Sequence, residues 1–200
     1  MASERDRPDI AERREVWFKQ FSLWMLTRLV FLDETWTKTN MTRLYGWAHR
    51  TQRVIESVPH GHWKTTTWVS ALRLEGMVAP LVVDGAINGE LFLKWVREHL
   101  APSLRAGDIV IMDNLAVHKV SGVREALESA GAQLLYLPPY SPDFNPIEQI
   151  FAWFKAKLRK IKARTQEELW CAIGNLCAEL SPQAIENCFA HSGYPRKIPA

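Results

Sequence analysis

Three acids stand where side chains able to do chemistry collect. Asp33 ends the apolar run Arg28-Leu-Val-Phe-Leu-Asp33, and Asp113 ends a second such run, Asp108-Ile-Val-Ile-Met-Asp113. Glu148 falls at the third position of a helix opened by Asn145 and Pro146, where proline's missing N–H costs nothing. Short apolar runs ending in an acid read as buried strands whose last residue emerges at the sheet edge, and ligands collect where such ends meet helix starts. Three carboxylates brought together repel unless cations neutralise them. Oxygen donors without cysteine or clustered histidine select Mg²⁺ or Mn²⁺. Two such ions roughly 3.5–4 Å apart clamp the attacking and departing oxygens of a displacement at phosphorus, so the chemistry is phosphodiester cleavage and transfer.

Each acid also has a plainer reading. Asp33 could pair with an arginine, and Asp113 could cap the turn into Asn114. Glu148, three residues beyond Asn145, has the spacing of a capping box. His118, five residues past Asp113, reads as a helix-start partner or as a group touching phosphate or the attacking atom.

The elements that must position these residues follow from pattern. Ile147, Ile150, Phe151, Phe154, Leu158 and Ile161 repeat at helical spacing and predict a core-facing stripe. Lys155, Arg159 and Lys162 fall with Glu148 on a second face. From Gln149 to Gln166 there are six Lys or Arg and no acid, which points to an anionic partner. Upstream, residues 1–25 read as a linker or short helix outside the core, and Gly46–Val58 as extended chain. His60-Gly61-His62 is a turn without a third metal ligand. Thr65–Leu74 and Met77–Val83 form a hairpin about Glu75-Gly76. Asn88 caps a helix to about His99, a helix runs from Lys119 to about Ala130, and Gln133–Leu137 is a further strand. Thr165 with Glu168 makes a capping box for a helix to about Glu179, and Ser181-Pro182 starts the last. The expectation is an α/β fold: a mixed five-stranded sheet with helices on both faces and extra helices at the C-terminus.

With 200 residues and 47% hydrophobic content, one core accounts for 26–194, with 195–200 as a tail. A net charge of +3 is too small to mark the whole chain as a nucleic-acid binder, so the uneven placement of charge carries that argument. Nine tryptophans default to core packing. Cys171, Cys177 and Cys188, without zinc spacing, read as buried thiols of a reducing compartment. No apolar run matches a membrane span and residues 1–14 are charged, which predicts a cytoplasmic protein.

Leu32-Asp33-Glu34-Thr35, Met112-Asp113-Asn114-Leu-Ala-Val-His118-Lys119 and Leu137-Pro-Pro-Tyr-Ser-Pro-Asp-Phe-Asn-Pro-Ile-Glu148 resemble the three catalytic blocks of the mariner-like DDE transposases, in the branch found in bacterial insertion sequences. The second and third acids are separated by 148 − 113 − 1 = 34 residues, the spacing of that branch. Gly46-Trp47 and His62-Trp63-Lys64-Thr65-Thr66-Thr67 resemble intermediate segments, so the likeness covers about Leu29 to Tyr194. The resemblance implies an RNase H-like fold, with Asp33, Asp113 and Glu148 as the triad holding two Mg²⁺ or Mn²⁺ ions. It further implies cleavage at element ends, strand transfer into target DNA usually at TA, and a homodimer on DNA. Relatives carry an N-terminal helix-turn-helix region for which the first 25 residues are too short. The expectation is therefore a catalytic half, whether a second reading frame with a separate helix-turn-helix polypeptide as partner, a truncation or a degraded copy. Two alternatives stay open at this level: a catalytically inactive DNA-binding or regulatory remnant, and an RNase H-type nuclease.

Overall fold

The computed structural model describes residues 3–21, 26–58, 60 and 62–194. The site is built on a five-stranded sheet. The strands are β1 (Leu29–Lys38), β2 (Thr65–Arg73), β3 (Gly76–Asp84), β4 (Ile109–Met112) and β5 (Gln133–Tyr136), in the order β3-β2-β1-β4-β5. β1, β2 and β3 form an antiparallel meander, while β4 and β5 join parallel to β1 through helical crossovers. The expected mixed α/β sheet is thus present.

Alternation along the strands builds two cores. Val30, Leu32, Val110 and Met112 face a layer made by α2 (Gly89–Trp95), which runs on as a π-helical turn to Leu100, and by α3 (Val123–Ser129). Leu29, Phe31 and Ile111 face the opposite layer of α4 (Pro146–Ile161), α5 (Gln166–Glu179) and α6 (Pro182–His191). There Trp68 packs its ring 4.9 Å from Phe151 and 4.5 Å from Phe154, the apolar stripe of α4 read from spacing. Ile161 closes that stripe in the sequence but is half-exposed, because the helix stops there and Lys162 turns left-handed at φ 59°.

Several expectations change. The helix placed at 119–130 is broken: a 3-10 turn spans Ala116–Lys119, and α3 starts only after Gly122, whose φ of 94° a side chain would resist. Gly46–Val58, read as extended chain, turns at 50–51 and pairs with no strand, and it leaves Trp47 and Ile55 exposed next to the exposed Leu44 and Tyr45. Residues 22–25, Gly61 of the His60–His62 turn and the 195–200 tail lie outside the described residues. All three thiols are free, but none is fully buried: Cys171 is exposed, and Cys177 and Cys188 are half-buried. Of the two readings of the N-terminal segment the helix is the one present, but it does not lie outside the core. Pro8–Phe21 is a helix, α1, and it buries Ile10, Arg14 and Trp17 at helical spacing against the rest of the chain. Among the described residues no helix is long and apolar enough to cross a membrane.

Candidate active site

β1 and β4 pair in parallel from Leu29↔Ile109 to Phe31↔Ile111. Carried two residues further, the same register sets Asp33 beside Asp113, since 113 − 111 = 33 − 31. Residues level in adjacent parallel strands share a face, and both acids have the parity of Phe31 and Ile111, the side on which α4 lies. Asp33 does not end its strand as expected: β1 continues to Lys38, paired with β2 throughout. What ends is its pairing with β4, after which the strands part and leave a notch. Asp33, Asp113 and Glu148 line one cleft there, about 360 Å³ in volume, walled by Asn114, Leu115 and the 137–142 loop.

Each Asp is held by named donors. Asp33, 7% exposed, accepts the Glu34 N–H on Oδ1 (2.8 Å) and the Asn145 side-chain amide on Oδ2 (2.9 Å). Local sequence predicts Asn145 as the cap of α4. It makes no side-chain cap, and its buried amide reaches across 112 residues to Asp33 instead. Glu148 accordingly belongs to no capping box and extends toward the cleft. Asp113 accepts the Leu115 N–H on Oδ1 (2.9 Å), the turn the plainer reading anticipated, and the same oxygen lies 2.6 Å from His118 Nδ1. That approach is short but off the ring's N–H axis, so it counts as an ion pair and not as a well-formed hydrogen bond.

His118 is wholly buried, with Nε2 2.8 Å from Glu34 Oε2. Contact with a DNA phosphate, one of the roles read for it, is closed to it. Burial alone would lower its pKa, but the Asp113 and Glu34 carboxylates override this and raise it to about 10, so the ring is an imidazolium. Burial likewise works to raise Asp113, and His118 with the Leu115 N–H outweighs it and holds that carboxyl below its ordinary value. Asp33 goes the other way: burial first, then the charges of Glu148, Glu34 and Asp113, push it well above the usual range. Glu148, exposed at the mouth of the cleft, is also raised, by desolvation and by Asp113 and Glu34 against the pull of Lys155.

Such surplus negative charge among oxygen donors fits a hard divalent cation. The three acids do not form a ready coordination shell: among the described residues no three His, Cys, Asp or Glu stand close enough to hold an ion together. Asn145 on Asp33 and the charge of Lys155 near Glu148 take up part of that compensation as the side chains now lie.

The loop between β5 and α4 is braced from outside. Arg14 of α1 donates to Ser141 Oγ (2.7 Å) and to both Asp143 oxygens (3.0 and 2.7 Å), and its guanidinium sits 3.9 Å from the centre of the Phe144 ring. Tyr194 donates to the Phe144 carbonyl (2.9 Å). Sequence reasoning does not single out Arg14; its signal is the Ile10, Arg14, Trp17 spacing. Of the basic row, Lys155 lies 5.0 Å over the exposed Trp36 ring, Arg159 makes no ion pair among the described residues, and Lys162 is paired with Glu56.

A family model described as DDE superfamily endonuclease matches residues 28–170, well over half the chain. The chain belongs to the DDE superfamily endonucleases. No curated protein matches the sequence. Among solved structures, the DDE domain is similar to the Mos1 strand transfer complex (20% identity, TM-score 0.72, 96% of this chain, 63% of that one). The Mos1 mariner paired end complex with Mn matches at 18% identity and TM-score 0.75, over 96% and 62%. The Mos1 mariner transposase catalytic domain matches at 17% and 0.65, over 98% and 97%. The fold is therefore RNase H-like, as in that catalytic domain. The chain spans under two thirds of the length of the transposase chains in the two complexes.

Proposed function

We propose that this chain is the catalytic part of an insertion-sequence transposase, a divalent-metal-dependent polynucleotidyl transferase that cuts DNA at element ends and joins the freed strand to target DNA. The observation that carries the proposal is the alignment of Asp33 and Asp113 on one face of parting parallel strands, with Glu148 on the same cleft. Those three carboxylates would hold Mg²⁺ or Mn²⁺, two ions in this reading. Bound there, the cations make water or a 3′-hydroxyl a competent nucleophile and stabilise the departing oxygen.

The protein's own contribution is placement. Asn145 fixes Asp33 and ties the start of α4 to β1, so Glu148 enters the cleft at a set distance from both aspartates. The loop from Leu137 to Pro142 forms one wall of the cleft. Lys155, Arg159 and Lys162 lead away from Glu148 along α4 and would carry a phosphate backbone toward the acids. Cleavage breaks a P–O bond with water as nucleophile and leaves a 3′-hydroxyl. Transfer forms a new P–O bond from that hydroxyl while the target strand's 3′-oxygen departs. A cytoplasmic homodimer on DNA completes the reading.

The lack of a ready coordination shell among the described residues favours one rival, a DNA-binding remnant without chemistry. One assay separates them: incubate the whole chain and D113N with supercoiled DNA carrying the element's inverted repeats, in Mn²⁺ and in EDTA. The proposal expects Mn²⁺-dependent nicks lost in D113N by a factor of about 10²–10³, the scale of removing one electrostatic partner of a reaction centre. Binding without nicks establishes the remnant, and nicks undiminished in D113N remove the acid from the site.

A further inference from the structure

Two residues that the proposed chemistry leaves idle, Glu34 and His118, meet beneath the cleft. His118 lies on the 3-10 turn after β4, its ring 4.8 Å from Phe92 of α2, and its carbonyl accepts the Tyr136 hydroxyl (3.2 Å). The ring is therefore fixed from the far side of the sheet. From that anchorage it spans two carboxylates from different strands, Glu34 at 2.8 Å and Asp113 at 2.6 Å. Glu34 acts twice: its backbone N–H holds Asp33 Oδ1 while its side chain meets His118. One residue thus grips the first acid directly and the second through an imidazole ring.

The consequence falls on Asp113. An aspartate χ2 is a broad, soft torsion, and this side chain is 38% exposed at the end of a strand, so nothing intrinsic sets the direction of its oxygens. His118 and the Leu115 N–H both engage Oδ1. Oδ2 takes no hydrogen bond among the described residues, and Asp113 lines the cleft.

We infer that His118 and Glu34 are positioning residues: a buried strut that sets the orientation of Asp113 and keys it to Asp33, so that each presents an oxygen to a cation in the cleft. Neither touches substrate. The inference rests on the metal-dependent reading of the same cleft. Groups that orient ligands from behind are worth about 10- to 100-fold in metal affinity, and that sets the expected effect.

The test measures Mn²⁺ alone binding to the whole chain, by electron paramagnetic resonance of the free ion, beside melting curves in EDTA. His118→Leu fills the volume without either contact, and its Mn²⁺ dissociation constant should rise about 10- to 100-fold. His118→Asn can keep an N–H toward Asp113 while falling short of Glu34, and should recover most of that loss. Glu34→Ala retains the backbone grip on Asp33 and removes the far end of the strut. It should weaken binding at least about threefold, and it decides the matter if His118→Leu does not fold. Folded His118→Leu, or Glu34→Ala in its place, with wild-type affinity reduces His118 to a core filler and overturns the inference. Loss in His118→Leu that His118→Asn does not recover overturns it too, by showing collapse of the core and not loss of orientation. If the wild type binds no Mn²⁺, the metal reading fails with it. If the wild type binds and only D113N abolishes binding, the strut alone is refuted.

Discussion

Neutralising Asp33 should stabilise the protein while disabling its site. Asp33 is almost wholly buried, and burial first, then the charges of Glu148, Glu34 and Asp113, push its carboxyl well above the ordinary range. Each pKa unit of such a rise costs about 1.4 kcal/mol when the group is held ionised. D33N is therefore expected to add about 1–3 kcal/mol, or a rise of about 2–12 °C in melting temperature for a chain of this length. The substitution leaves no orphan. The carbonyl oxygen of the introduced amide can still accept the Glu34 N–H. Its NH₂ can donate to Asn145 Oδ1, which has no hydrogen-bond partner among the described residues, once Asn145 turns its own amide over.

The pH dependence gives the sign a second check. A carboxyl whose folded-state pKa is raised binds its proton more tightly in the folded chain, so it destabilises progressively as pH climbs from the unfolded value, about 3.9, through the raised one. The advantage of D33N should be small near pH 4 and grow as pH rises to 7.5. Mn²⁺ should reverse the order: at 100 times its dissociation constant it adds about 2.7 kcal/mol to the wild type and far less to D33N. Differential scanning fluorimetry in EDTA, in Mn²⁺ and across pH measures all three. A D33N melting temperature equal to or below wild type at pH 7.5 in EDTA refutes the reasoning, since it would mean that Asp33 is adequately compensated where it stands.

Changing Lys155, Arg159 and Lys162 together to Gln should flatten the dependence of log K on log[salt] for DNA by about 1.8, two contacts at about 0.9 each, because Lys162 is already paired with Glu56; fluorescence anisotropy at several salt concentrations measures it, and an unchanged slope returns the row to a solvated face. Arg14→Met should cost about 2 kcal/mol by urea unfolding at unchanged m-value, the scale of a charged hydrogen-bonding group lost from a partly exposed partner that also has Arg5. It should lower Mn²⁺ affinity as well, since the loop carrying Glu148 loses its brace; a loss below about 0.5 kcal/mol would show that the brace is dispensable.

What the sequence displays and what it hides divide along one physical line. Strand cores, helix stripes and the 34-residue gap are local patterns, so β1, β4, α4 and the three acids are all readable. The partners of those acids are not, because each lies far away in the chain. Asn145 next to Pro146 has every local mark of a cap, and only the folded chain shows its amide spent on Asp33 across 112 residues. His118 is legible as a residue near Asp113 but not as a buried one, since burial comes from Phe92, which packs over it from another element. Asp33 looks terminal because an apolar run stops there, whereas the strand continues on the polar alternation Glu34-Thr-Trp-Thr-Lys38. What changes at Asp33 is the neighbour, and neighbours have no sequence signature. Arg14 escapes notice for a related reason: a single buried arginine on a charged helix shows only as one polar residue among apolar ones at helical spacing.

These placements share a cause. A parallel pair that parts while one strand still pairs on its other side leaves its last face-sharing residues side by side, without a ladder to fill the gap. Putting acids in that gap is unfavourable on its own terms, and the fold meets the cost with groups anchored elsewhere: Glu34 and His118 from the α2 side of the sheet, Asn145 from the start of α4, and Arg14 holding the loop before it. Each fixes one oxygen or one segment, and the three acids still line the cleft together. The arrangement keeps a local electrostatic deficit that a cation can fill, and that deficit is why D33N should gain stability where most substitutions of buried, hydrogen-bonded residues lose it.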